Sequence, residues 1–276
     1  MPNIVITGST RGIGLGLARG FLERGCSVIV SGRRIETVAA IQDALSQEFG
    51  SARVMGKPCD VRSPQEIEGL WSRAREAFHI IDIWINNAGF ANKPAPIWEL
   101  DPSQAYAAIE TNLMGVIYGS QTAARGMLAQ GHGAIYNMEG MGGDGRMHEG
   151  LTIYGTSKYA VHYFTRALAR ELEGTNVIAA SLRPGMVATD MIIEPYRGKP
   201  EVWQRAKRIF NIIAERPEIV TPWLVDQILA NHTSGRIVSF TSTWKLMLRF
   251  LTAPFNRREL FADVDISEPG ERNSGA

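Results

Sequence analysis

"NIVITGSTRGIG", residues 3–14, decides how the rest of the chain is read. A short apolar, β-branched run leads straight into glycines at 8, 12 and 14, a G-x-x-x-G-x-G spacing, and a helical pattern follows at once. A buried strand that ends on such a turn lets the backbone approach a pyrophosphate and rest it on a helix N-terminus. Glycine is required because a side chain would stand between backbone and phosphate. Gly8, Ser9, Thr10, Arg11, Gly12, Ile13 and Gly14 are therefore candidate cofactor contacts.

The same alternation continues outward. "SVIVSG" (27–32), "ARVMGKPCD" (52–60), "IDIWINNAG" (81–89), "GAIYNM" (133–138), "VIAASLRPG" (177–185) and "GRIVSFT" (235–241) read as buried parallel strands. Helical stretches are expected between them at about 13–22, 35–48, 64–78, 103–129 and 154–173. The pattern predicts one α/β domain over 1–262, a doubly wound parallel sheet with helices on both faces. Residues 186–231 interrupt the rhythm with a long insertion, and such excursions at the carboxyl edge of a sheet cover ligands. The last stretch, 263–276, has few apolar residues and is expected to be a disordered tail.

Composition excludes several functions. With 29 Lys+Arg against 28 Asp+Glu, scattered along the chain, no nucleic-acid partner is indicated. Cys26 and Cys59 read as reduced core thiols, and no Cys/His cluster suggests a metal. The chain opens on a strand and has no apolar run of membrane-spanning length. A soluble, cytoplasmic or stromal protein without signal, transit or transmembrane segment is therefore expected. The stretch 243–261 is apolar with Lys245, Arg249, Arg257 and Arg258 interspersed. It reads as a packed edge or subunit interface, with peripheral membrane contact as the alternative.

The second strand chooses between nicotinamide cofactors. An NAD site ends it with a carboxylate that holds the ribose hydroxyls. Here "VIVSGRR" supplies Ser31, Arg33 and Arg34, with Arg11 on the glycine turn. Guanidinium groups pair with a 2′-phosphate that a carboxylate would repel, so NADPH/NADP+ is the expected cofactor.

"YGTSK" sets Tyr154 and Lys158 four residues apart on one helix face. A tyrosine with an ordinary pKa near 10 needs a neighbouring cation to exchange protons readily at neutral pH, and Lys158 can supply it.

Together, "TGSTRGIG", "CDV" with Asp60 and Val61, "NNAG" at 86–89, Asn112 in "TNLMG", "YGTSK" and "PGMVATD" at 184–190 resemble the short-chain dehydrogenase/reductase family over nearly the whole chain. The resemblance implies a Rossmann-type fold and a carbonyl oxidoreductase. It also implies that Asp60 and Val61 flank the adenine, that Asn86, Ala88 and Gly89 lie along the cofactor, and that Pro184, Gly185 and Thr189 line the nicotinamide. Tyr154 would then be the proton donor, Lys158 its partner and Asn112 the anchor of a relay water.

The family's serine is missing. Its usual N-x-S-S reads "NMEG" here, with Asn137 kept and Gly140 in the catalytic serine's place. "YNMEGMGGDG", "IYGTSK" and "FNIIAERPE" (210–218) resemble the chlorophyll b reductases, which implies reduction of a formyl group on a tetrapyrrole. An aldehyde tolerates the loss of one donor better than a ketone, and bare N–H groups in a glycine-rich turn can replace the hydroxyl. Glu139 is expected to be protonated or turned toward a structural partner. Glu139, Gly140, Met141, Met186, Met191 and Phe210 are the expected substrate-side residues, facing a large apolar carbonyl compound. A homo-oligomer is expected. Two alternatives stay open: an aldehyde or ketone reductase for another bulky apolar substrate, and a nucleotide-binding scaffold without turnover.

Overall fold

The computed structural model describes residues 1–253, 255, 258–264 and 266. Strands β1 (Asn3–Ile6), β2 (Ser27–Gly32), β3 (Val54–Pro58), β4 (Ile83–Asn86), β5 (Gly133–Met138), β6 (Val177–Arg183) and β7 (Ile237–Ser239) join in one sheet. Their order is β3-β2-β1-β4-β5-β6-β7, every pairing parallel. The order reverses between β1 and β4, and ligands of such sheets bind in the crevice at that point.

Strand side chains alternate between the faces, so both sides need cover. Ile4, Ile6, Val28 and Val30 meet Leu17 and Phe21 of α1 (Gly12–Glu23), Leu45 of α2 (Ile35–Phe49) and Leu224 of α9 (Pro217–Leu229). Val5, Ile29 and Ile135 meet Ile67 and Leu70 of α3 (Pro64–Phe78), Met127 of α5 (Gly115–Gln130) and Ala169 of α6 (Thr152–Glu171). Helices therefore lie on both faces of the sheet.

Three boundaries differ from the sequence reading. The helix expected over 103–129 is broken into α4 (Pro102–Ile109) and α5 by a π turn at Glu110–Met114, and Asn112 sits in that turn. The insertion 186–231 is not all ligand cover. Helix α9 crosses α1 so closely that a Cβ on Gly16 would come within 2.6 Å of Thr221 Oγ1, so 217–229 belongs to the core. What remains, 186–214, is a cap of α7 (Asp190–Ile193), α8 (Pro200–Ile213) and their connections, rooted in the core by Val187.

This cap has its own apolar cluster, and the third difference lies there. Trp203 packs edge-on to Phe261 with ring centroids 5.4 Å apart, and Ile193 and Ile266 are buried beside them. Gly198 N–H donates to the Ile266 carbonyl at 2.9 Å. The tail expected from residue 263 is thus packed at Ile266, while Asp265 and 267–276 lie outside the described residues.

At the base of the cap the buried Glu215 accepts from Arg249 of α10 (Thr243–Thr252) and from Arg258, both at 2.6 Å. Two of the cations interspersed in the 243–261 stretch therefore point inward. Arg257 lies outside the described residues. The opposite side of α10 presents Trp244, Met247, Leu248 and Leu251 to solvent, an i, i+3, i+4, i+7 stripe. No described helix is long and apolar enough to cross a membrane.

Candidate active site

The cofactor cradle forms where β1 and β4 end side by side. Gly8 and Gly12 have positive φ, 62° and 55°, which favours glycine. A Cβ on Gly14 would meet the Gly8 carbonyl at 2.4 Å, and one on Gly8 would meet Ala88 Cα at 2.8 Å. Helix α1 starts without a side-chain cap and has no acid in its first turn, so its N-terminal N–H groups and positive dipole end suit an anion. The residues present therefore fit a pyrophosphate.

The turn is secured by residues the sequence reading passed over. Thr7 Oγ1 accepts from the N–H groups of Asn87 and Ala88, at 3.0 and 3.2 Å. Asn87 Nδ2 donates to the carbonyls of Thr7 and Gly8, at 3.0 and 2.9 Å. Asparagine after a buried strand was the available signal, since an amide can stitch two main chains at once.

Ser9, Ser31 and Asn86, expected to touch the cofactor, have buried side chains. Ser9 and Ser31 knit the glycine turn to β2, with Ser31 N–H donating to Ser9 Oγ at 2.8 Å and Ser9 N–H to the Ser31 carbonyl at 2.8 Å. Asn86 belongs to a buried network: it accepts from Trp84 Nε1 at 2.8 Å and donates to Ser120 Oγ and Asn137 Oδ1, at 3.0 and 2.8 Å. These three shape the site from beneath it.

The remaining cofactor candidates lie around the cradle. Arg33 and Arg34 are exposed at the end of β2, and Thr10 lies against Gly32. Ile13 packs on the core below. Arg11 Nη1 is 4.0 Å from Asp190 Oδ2, and Gly12 faces the Thr189 methyl, which joins the turn to the segment after Pro184 and Gly185. Asp60 accepts from Arg62 Nη2 at 2.7 Å. Burial alone would raise the Asp60 carboxyl, but hydrogen bonds from Arg62 and the charges of Arg62 and Arg33 hold it below the usual range. Val61 packs against Gly115 at the start of α5.

At the chemical end, α6 brings Tyr154 and Lys158 to one buried face. Lys158 Nζ lies 5.9 Å from the Tyr154 ring centroid and donates to the Met138 carbonyl at 3.1 Å. Burial pushes the phenol up to about 12 and the ammonium down to about 8, the second effect opposed by the charge of Glu139. Asn112 accepts from Phe90 N–H at 2.7 Å and donates to the Phe90 carbonyl and Ser157 Oγ, at 2.9 and 3.0 Å. Its side chain ties the π turn to α6 and to the loop after β4. Gly89 closes the group, since a Cβ there would stand 3.7 Å from Lys158 Nζ.

The serine's position is filled by neighbours. A Cβ on Gly140 would fall 2.4 Å from Tyr154 Oη, so the phenol occupies the space a side chain would need. Glu139 does not face the cleft. Its carboxylate is fully buried, paired with Arg183 and 2.9 Å from His162 Nδ1. Met141 and Met191 are exposed at the rim, whereas Met186 and Phe210 pack within the cap cluster. His162 and Arg183 were missed, although His162 lies four residues beyond Lys158 on the same helix face.

A parallel sheet with a glycine cradle at its switch point, facing a buried Tyr-Lys pair, defines a nicotinamide-dependent oxidoreductase. A family model of the short chain dehydrogenases matches residues 2–198, and the chain belongs to that family. Chlorophyll(ide) b reductase NOL of Arabidopsis thaliana is 36% identical over 267 residues, covering 95% of this chain and 73% of that protein. The same plant's probable chlorophyll(ide) b reductase NYC1 is 33% identical over 277 residues, covering 95% of this chain and 55% of that one. Among solved structures, an actinorhodin polyketide ketoreductase with NADPH superposes with a TM-score of 0.77 at 29% identity, over 87% of this chain and 95% of that one.

Proposed function

We propose that this protein reduces the formyl group of chlorophyll(ide) b, or of a closely similar tetrapyrrole, to hydroxymethyl, with NADPH as the hydride donor. The observation that carries this reading is the 36% identity to a chlorophyll(ide) b reductase over 95% of the chain. The glycine-rich turn at 140–143 and an aldehyde's tolerance of one missing donor agree with it. NADPH, rather than NADH, follows from Arg11, Arg33 and Arg34 around the end of β2.

When bound, NADPH would supply the hydride, held by the 8–14 turn, Arg33 and Lys158. Tyr154 Oη donates its proton to the carbonyl oxygen as the carbon gains the hydride, so C=O becomes CH–OH. Lys158 stabilises the resulting phenolate by charge. Asn112 keeps the π turn in place behind it. The same reading expects a homo-oligomer acting in cytoplasm or stroma. It assigns the uncovered α10 stripe to a subunit contact or a peripheral membrane contact.

The test is NADPH-dependent conversion of chlorophyllide b to its hydroxymethyl product, followed by absorbance and chromatography. Turnover of bulky ketones but not of chlorophyllide b would favour the generic reductase. NADPH binding without turnover of any carbonyl would leave only a scaffold.

A further inference from the structure

One buried charged cluster at the end of β5 has no part in the steps above. The Glu139 carboxylate, which leaves the end of β5, accepts from Arg183 Nε of β6 and lies 2.9 Å from His162 Nδ1 of α6. Arg183 Nη2 also donates to the Gly143 carbonyl at 3.0 Å and lies 3.2 Å from the same His162 nitrogen. Gly143 N–H in turn closes the turn onto the Gly140 carbonyl at 3.0 Å. Three elements distant in sequence thus converge on the 140–143 turn, whose Gly140 lies against Tyr154.

Stability alone does not account for this arrangement, because a well-packed apolar trio of the same volume would serve as well as buried charges. What the charges add is direction. A guanidinium fork fixes two acceptors at once, here the Glu139 carboxylate and the Gly143 carbonyl, and so fixes the turn between them. Within that turn the N–H groups of Gly140, Met141 and Gly142 make no hydrogen bond among the described residues and remain available as donors.

We propose that Arg183 and His162 are positioning residues: anchored on Glu139, they hold the 140–143 turn against Tyr154, so that main chain at Gly140 does the work a serine side chain does elsewhere in the family. The inference rests on the reductase reading of the site, not on the tetrapyrrole substrate. A second effect follows from the same placement. Glu139 is the anion supporting the Lys158 ammonium against burial; Tyr154 lies beside that ammonium, and Arg183 on β6 and His162 on α6 face the Glu139 carboxylate.

Two variants test it. Arg183→Lys keeps a cation beside Glu139 but lacks the fork that also reaches Gly143. The paired change Glu139→Gln/Arg183→Gln removes the carboxylate and the guanidinium together, so neither is left without the other. Both are compared with the parent by thermal melting, by NADPH fluorescence titration over roughly pH 6 to 10, where Lys158 changes charge, and by turnover of a small aldehyde. Arg183→Lys should melt cooperatively, bind NADPH as the parent does, and lose about tenfold or more in kcat with KM little changed, the signature of misplaced catalytic groups. In the paired variant the loss of NADPH affinity at alkaline pH should move to lower pH; a merely structural role would lower the melting temperature without moving it. Parental kcat in Arg183→Lys, or a paired variant whose binding profile superposes on the parent's, overturns the proposal. A parent inactive on every aldehyde would defeat the reductase reading instead, and the binding profile would still decide this one.

Discussion

At the cofactor end of the cleft, Gly8, Gly14 and Ala88 lie so close that no added side chain fits between them, and Thr7 and Asn87 lock the two strand ends through main-chain groups. At the chemical end, the turn after β5 is held by charge, with Glu139, Arg183 and His162 meeting beneath it. The first device fails when atoms are added, and the second fails when charge is removed. Gly140 belongs to both, because it sits in the charge-held turn yet has no room for a Cβ.

That contrast can be broken at several points. The largest effect is expected for Tyr154→Phe, which removes the proposed proton donor and keeps the ring. Turnover should drop by about three orders of magnitude while NADPH titration stays near the parent's, and a variant retaining most activity would mean another acid acts. Next comes Gly140→Ser. Because its Cβ would fall 2.4 Å from Tyr154 Oη, the restored hydroxyl should displace the donor it is meant to assist. Turnover should fall roughly 100-fold on small and large substrates alike, and a gain on either would show that the phenol can yield.

Smaller effects bear on the cofactor end. Arg33→Asp should erase or reverse the preference for NADPH over NADH, by about 1.5–3 kcal/mol in the ratio of dissociation constants. Equal affinities in the parent would remove the assignment. The smallest is a gain. Burial lowers the Lys158 ammonium from an ordinary 10.5 to about 8 in the fold, so between those values the unfolded chain holds more protons and stability rises with pH. At neutral pH its buried charge is a cost, so Lys158→Met should abolish turnover yet raise the melting temperature of the cofactor-free protein, by roughly 1–3 kcal/mol of stability. A lowered melting temperature would mean that Glu139 and the Met138 carbonyl more than offset the burial.

The parallel, doubly wound sheet was legible because strand period and glycine spacing are backbone signals that no tertiary contact can erase. Polar residues at strand ends were harder. Ser9, Ser31 and Asn86 have the right chemistry to meet a cofactor, and sequence does not show whether a polar group points into the cleft or into a buried network. Helix α9 was read as part of the cover because "PEIVTPWLVDQIL" carries an internal proline and apolar residues on all sides, leaving no polar face to orient it. Arg183 is hidden in "SLRPG", because a charge at the end of a buried strand fits an exit into solvent as well as a buried pair. His162 was more accessible, since positions 154, 158 and 162 share one helix face.

The cap gives the chain an order of completion. Trp203 packs against Phe261, and Gly198 bonds to Ile266, so a segment made earlier is fastened by one made later. While the polypeptide is emerging from the ribosome, the glycine cradle and the Tyr154–Lys158 helix have all their strand partners through β6 before Phe261 exists. Through that interval a nascent chain has the parts to hold a nucleotide but an unfastened cap. For the same reason, a cut or a bulky fusion just before residue 261 should loosen the far side of the cleft while sparing the sheet.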